Sequence, residues 1–123
     1  MQMKILIVDD NEDIRLILGL MLKEQLNLEL FEAGNGCEAV KMFIKELPNL
    51  VIMDIVMPGK DGIEATKIIL DKFPDAKIIG HTAYSSIKGE EMLQEGALEI
   101  MSKPIMKKDL LHTISKYCNE AVT

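Results

Sequence analysis

Five residues with chemistry to offer each follow a short apolar run. Asp9 and Asp10 come after Ile5 to Val8, and Asp54 after Leu50 to Met53. Thr82 comes after Lys77 to Ile79 with Gly80 and His81 between, and Lys103 after Leu98 to Met101 with Ser102 between. A carboxylate can act as a nucleophile, and an ammonium can make a charge-assisted hydrogen bond to an anionic group. Three carboxylates brought within a few ångströms repel one another, so such a site takes up protons or loses stability unless a cation compensates. With only oxygen donors and no Cys or His among the three, the site favours a hard ion, Mg²⁺ or Mn²⁺, over zinc. Mg²⁺ also keeps several waters, which leaves places for an incoming phosphate. Taken singly, Asp9 or Asp10 reads as readily as a helix cap, and Asp54 as the start of a turn with Pro58-Gly59. Their joint placement with Thr82 and Lys103 is what points to a site.

Convergence requires elements that bring these run ends together. The four runs, and a further one at Leu28 to Phe31, are each long enough for a buried strand. Helical spacing lies between and after them: Ile14, Ile17, Leu18 and Met21; Ala39, Val40, Phe43, Ile44 and Leu47; Leu110, Leu111, Ile114, Tyr117 and Cys118. Residues 62–72 and 86–95 carry weaker helical patterns. Asn11 is placed to cap the first helix, whose opening turn carries Glu12 and Asp13 against the positive end of the helix dipole. Pro48, Pro74 and Gly96 fall near helix ends.

Five strand-then-helix units predict an α/β fold, a doubly wound parallel sheet with helices on both faces. In such sheets ligands bind beyond the carboxyl ends of the strands, at the point where strand order reverses. The second run ends in Ala33-Gly34-Asn35-Gly36, with no ionisable group in the turn. The four chemical ends can share one pocket only if that strand lies outside the contiguous set, which the flavodoxin-like order 2-1-3-4-5 provides. Residues 1–123 read as a single domain, without linker, repeat or low-complexity tract.

At 48% hydrophobic and 28% charged residues, the chain has the composition of a soluble globular domain rather than a disordered one. Its net charge of -6, with no cluster of Lys and Arg, argues against direct contact with nucleic acid or an anionic membrane and favours a cation as partner. Cys37 and Cys118 are far apart and outside metal-ligand spacing, so a disulfide framework is not expected, a cytoplasmic location is, and both read as packing residues. Most of the nine Met residues fall in apolar patterns and read as core. His81 reads as a packed or solvent-facing residue without partner ligands, and His112 as surface. No run is long enough for membrane insertion or shaped like a signal peptide.

Over essentially its whole length the chain resembles the receiver domain of two-component response regulators, and in particular a stand-alone, chemotaxis-regulator-like receiver. The resemblance lies in Ile5-Leu6-Ile7-Val8-Asp9-Asp10-Asn11, in Asp54-Ile55-Val56-Met57-Pro58-Gly59-Lys60-Asp61-Gly62, in Thr82-Ala83, and in Gly96-Ala97 followed by Lys103-Pro104. It implies that Asp54 is the phosphoacceptor, that Asp9 and Asp10 hold Mg²⁺ directly or through water with the Val56 backbone carbonyl as a further ligand, and that Thr82 and Lys103 contact the phosphoryl oxygens. It implies a sensor histidine kinase or histidine phosphotransfer protein as donor and a downstream protein target as reader. The face made by the last two strands and last two helices becomes a candidate partner surface and homodimer contact. It further implies a cis Lys103–Pro104 peptide, a bond type for which the cis form costs only about 0.5–1 kcal/mol. Members usually carry an aromatic residue on the fifth strand that swings inward on phosphorylation. This chain has Ile100 there, which is expected to stay buried. Val56 and Tyr84 match positions flanking access to the acyl phosphate, and their bulk is expected to slow its hydrolysis.

Two other readings share the architecture. A Mg²⁺-dependent aspartyl-phosphate phosphatase usually carries its nucleophile after the first strand and needs a cap or long loops, whereas the loops here are short. A flavin or nucleotide carrier needs a phosphate-cradling loop after the first strand, where this chain has Asp9-Asp10-Asn11-Glu12-Asp13.

Overall fold

The structure, a computed structural model, describes residues 3–24, 27–57, 59, 61–83 and 87–118. Strands and helices alternate along it: β1 (Met3–Val8), α1 (Glu12–Lys23), β2 (Leu28–Ala33), α2 (Gly36–Glu46), β3 (Leu50–Asp54), α3 (Gly62–Lys72), β4 (Ile78–Thr82), α4 (Ile87–Gln94), β5 (Glu99–Ser102) and α5 (Lys107–Cys118). The strands form one parallel sheet in the order β2-β1-β3-β4-β5. That is the order the chemically silent end of the second run requires, and it sets β1 beside β3 at the reversal point.

Alternation along the buried strands divides the core into two layers. Leu6, Val8, Val51, Met53 and Ile78 face one side, where they meet Ala39 and Phe43 of α2, Ala65 and Ile69 of α3 and Met92 of α4. Ile5, Ile7, Leu50, Ile52, Ile79 and Met101 face the other, against Leu18 and Leu22 of α1 and Leu110 and Ile114 of α5. Both faces of the central strands are covered, which is why those strands read as unbroken apolar runs. Of the methionines, Met3, Met53, Met57, Met92 and Met101 are buried as expected, while Met106 stands 60% exposed. Among the described residues, no helix is long and apolar enough to cross a membrane.

The helix starts follow local chemistry. The Asn11 side chain accepts hydrogen bonds from the backbone N–H groups of Asp13 (2.9 Å) and Ile14 (3.2 Å), Asn35 caps α2, and Asp61 caps α3. Cys37 corrects the packing expectation. It lies two residues before Ala39, on the opposite side of α2 from the Ala39–Phe43 stripe, and is exposed, whereas Cys118 is half-buried. Neither cysteine is disulfide-bonded. Ile100 also departs from expectation, being half-buried rather than enclosed. Its branched side chain lies over Gly80 and Gly89, where a Cβ on Gly80 would stand 2.7 Å from its Cδ1.

Gly62 opens α3 against the strand that carries Asp54. A Cβ there would sit 2.0 Å from the Asp54 carbonyl oxygen and 3.0 Å from the Ile55 Cα, and the Gly62 N–H already donates to the Ile55 carbonyl at 2.9 Å. The obstacle is backbone on both sides, so no rotamer change relieves it. Gly62→Ala is expected to lower stability by about 3 kcal/mol in urea denaturation; a loss below roughly 1 kcal/mol would show that α3 moves away freely.

Candidate functional site

The carboxyl ends of β1, β3, β4 and β5 converge as the strand order requires. Asp54 and Thr82 prove to be the last residues of their strands rather than the first beyond them, since Asp54 pairs with His81 and Thr82 with Ser102 in the ladders. Asp9, just past β1, and Asp54 are buried at 0% and 4% exposure. The Lys103 ammonium lies between them, 2.9 Å from Asp9 Oδ2 and 3.3 Å from Asp54 Oδ1. The Lys103–Pro104 peptide is cis, as the resemblance implied. Thr82 is buried beside this group, its carbonyl accepting from the Lys103 N–H at 2.7 Å, and Asp10, next after Asp9, is exposed while its charge still acts on Asp54. Val56, two residues beyond Asp54, is 60% exposed at the rim. Tyr84 lies outside the described residues.

Asp9 is the most constrained of the acids. Its N–H donates to the Ala33 carbonyl (3.1 Å), its carbonyl accepts from Arg15 Nη1 (2.6 Å), its Oδ1 accepts from the Asn11 N–H (2.8 Å), and its Oδ2 accepts from Lys103. Arg15 in turn donates from Nε to Glu32 Oε1 at 2.8 Å. Neither Arg15 nor Glu32 stood out from the sequence.

His81 corrects the expectation that it has no partner ligands. It is buried, with Nε2 3.3 Å from the Val8 carbonyl and 3.8 Å from Asp9 Oδ2, while Nδ1 has no hydrogen-bond partner among the described residues. One ring nitrogen of His81 and one oxygen each of Asp9 and Asp54 lie within 4.8 Å of one another. Its packed position was among the expected ones, and parity alone places it, since it shares the α1/α5 side of β4 with Ile79. His112 is exposed, as read.

The electrostatics follow from burial and crowding. Burial, then the charges of Asp9 and Asp10, push the Asp54 carboxyl up to about 6, against the opposing charge and hydrogen bond of Lys103. Burial and the Lys103 charge push His81 down to about 4, against Asp9 and the Val8 hydrogen bond, so its ring is neutral at neutral pH. Burial works against the Lys103 ammonium, but its hydrogen bond to Asp9 and the charges of Asp54 and Asp9 outweigh it and raise its pKa. Burial is the larger part of the Asp54 rise, and the neighbouring charges of Asp9 and Asp10 add to it, so a cation at these carboxylates would relieve both. The donor set therefore fits an added hard cation.

Residues 5–115 match the family model of the response regulator receiver domain. The chain is 40% identical to the chemotaxis protein CheY of Halobacterium salinarum over 116 residues, 94% of this chain and 96% of that protein. It is 37% identical to the transcriptional regulatory protein LiaR of Bacillus subtilis over 102 residues, 81% of this chain but 48% of that protein, so the chain spans about half the length of that relative. Among solved structures, a CheY-like response regulator receiver domain protein from Methanospirillum hungatei superposes with a TM-score of 0.88 at 30% identity, covering 94% of this chain and 93% of that one.

Proposed function

The chain belongs to the response regulator receiver domain family of two-component systems, and from that membership we propose that Asp54 accepts a phosphoryl group from a histidine kinase or histidine phosphotransfer protein. This reading rests on one meeting point: a lysine ammonium within 3.3 Å of two buried carboxylates at the ends of adjacent strands. The Asp54 carboxylate is the nucleophile, bonding to phosphorus as the donor leaves. Asp9, Asp10, Asp54 and the Val56 carbonyl would hold Mg²⁺, or Mn²⁺, which when bound neutralises charge on the transferring group. Lys103 and the Thr82 hydroxyl would take the phosphoryl oxygens, and a Lys103 released from its hold on Asp54 is positioned to follow the new charge.

The product is a changed surface rather than a released compound, and the chain acts as a phosphoacceptor in the cytoplasm rather than as a turnover enzyme. The elements from α4 to α5 carry exposed Ile87, Leu93, Leu98 and Met106, which supports that end of the molecule as the surface a downstream protein or second copy reads. With Ile100 lying over Gly80 and Gly89, coupling of the site to that surface goes through this aliphatic contact instead of an aromatic swing.

Intact-mass measurement after incubation with a small phosphodonor and Mg²⁺ tests the reading. The expected result is a single alkali-labile phosphoryl group per chain, mapping to Asp54 and absent with chelator. Repeated release of phosphate from a small ester, many turnovers per chain, would instead make the protein a phosphatase.

A further inference from the structure

β2 brings no ionisable group to the pocket, yet it reaches the site through one side chain. Arg15, at the end of the first turn of α1, forks between the Asp9 carbonyl (Nη1, 2.6 Å) and Glu32 Oε1 on β2 (Nε, 2.8 Å). The Arg15 side chain is 17% exposed and Glu32 55%, so the fork has a sheltered end at Asp9 and a wet end at the strand. The Asp9 carbonyl and the Asp10 N–H belong to one planar peptide unit. Whatever fixes that carbonyl also fixes the peptide plane and the position of the Asp10 Cα, the base from which its exposed carboxylate must reach the site. The other three polar groups of Asp9 are already committed to Ala33, Asn11 and Lys103, so the carbonyl is the remaining handle on the peptide leading to Asp10.

We infer that Arg15, braced by Glu32, is a positioning residue for the Asp9–Asp10 pair and sets the affinity of the site for its divalent cation. The inference rests on the phosphoacceptor reading, because it needs Asp10 to be a cation ligand. Arg15 itself touches neither the cation nor the transferring group. Its donors are directed at a backbone oxygen and at Glu32, and the ion pair with Glu32 holds the planar fork in the one orientation that lets Nη1 reach Asp9. A lysine at this position supplies charge but cannot donate in both directions from a rigid plane.

Calorimetric titration of the metal-free protein with Mg²⁺ decides it, with thermal unfolding of each variant as the companion measurement. Arg15→Ala is expected to weaken Mg²⁺ binding about tenfold, the low end of what losing a residue that orients metal ligands costs. Arg15→Lys should fall between Arg15→Ala and wild type. Glu32→Ala, at an exposed position that the fold tolerates, should weaken binding about threefold, and Glu32→Gln, which keeps an acceptor for Nε, should return it to near wild type. Phosphoryl uptake at saturating Mg²⁺ should change less than Mg²⁺ affinity in every variant. A purely structural Arg15 would lower the unfolding temperature and leave the Mg²⁺ dissociation constant within twofold of wild type, and that result overturns the inference. If Arg15→Ala does not fold, Glu32→Ala and Arg15→Lys carry the same decision. A wild-type protein that binds no Mg²⁺ overturns the phosphoacceptor reading itself, a different outcome from a wild type that binds and variants that bind equally well.

Discussion

Replacing Asp54 with asparagine is expected to abolish phosphoryl uptake and, at the same time, to make the metal-free protein more stable above about pH 6. An amide is no nucleophile toward phosphorus under these conditions, so the loss of uptake is complete rather than partial. The stability gain follows from linkage. The Asp54 carboxyl is raised from 3.8 to about 6 in the folded protein, so the native state holds a proton that the unfolded chain has released. Its contribution to stability is fully present below the unfolded value and is lost as pH rises through the folded one. Above that window the ionised group costs roughly 3 kcal/mol, and asparagine removes the cost. His81 has the opposite sign. Lowered from 6.5 to about 4, its contribution is fully present above the unfolded value and is lost as pH falls toward the folded one. The two effects partly cancel between about pH 4 and 6 in the wild type, and Asp54→Asn should uncover the acid-side loss due to His81. Urea denaturation across this range reads both limbs. Persistent uptake by the variant, or a variant less stable than wild type at neutral pH without metal, would contradict the assignment of Asp54.

The same burial that raises Asp54 explains what the sequence could and could not disclose. A strand covered on both faces leaves an unbroken apolar run, which makes β1, β3 and β4 legible, while the edge strands β2 and β5, only partly covered, show as shorter apolar runs. Their exact ends were not legible. Leu28 to Phe31 continues to Ala33, and Lys77 to Ile79 shifts to Ile78–Thr82, because ladder pairing extends to polar residues that periodicity treats as loop. Strand order was recoverable from one absence, the lack of an ionisable group after Ala33, combined with the need for a shared pocket.

Contacts between distant side chains and backbone groups leave no such trace. Nothing in the spacing of Arg15 and Glu32 announces that a guanidinium will span from a strand residue to the Asp9 carbonyl, since the contact depends on how α1 lies across the β1–β2 edge. Facing direction was recoverable for two other residues, narrowing the packed-or-solvent-facing choice for His81 and correcting the packing expectation for Cys37. Counting alternation forward from Ile79 puts His81 on the side of β4 that faces α1 and α5, and the helical angle between Cys37 and Ala39 puts the cysteine outward. Local propensity gave the element, and facing direction within the element gave the environment.

Lys103→Met separates the two kinds of positive charge that the pocket uses. Methionine keeps most of the length and apolar stem of lysine but removes the ammonium that lies 2.9 Å from Asp9 and 3.3 Å from Asp54. Phosphoryl uptake is expected to fall by about 10²–10³, the usual consequence of losing one preorganised donor to developing negative charge. Mg²⁺ binding is expected to move the other way and become several-fold tighter, because a fixed cation no longer competes for the same carboxylates. Lys103 also holds the Asp54 pKa down against burial, so in the metal-free variant that pKa should rise further and the alkaline-side stability loss should deepen. The pair of measurements is more discriminating than either alone. Weaker uptake with weaker Mg²⁺ binding would mean that Lys103 keeps the carboxylates in place, whereas weaker uptake with tighter binding means that it acts on the transferring group. Lys103→Arg sharpens the distinction: it keeps the charge but presents a planar fork in place of a compact ammonium, so it should leave Mg²⁺ affinity close to wild type while recovering little of the uptake.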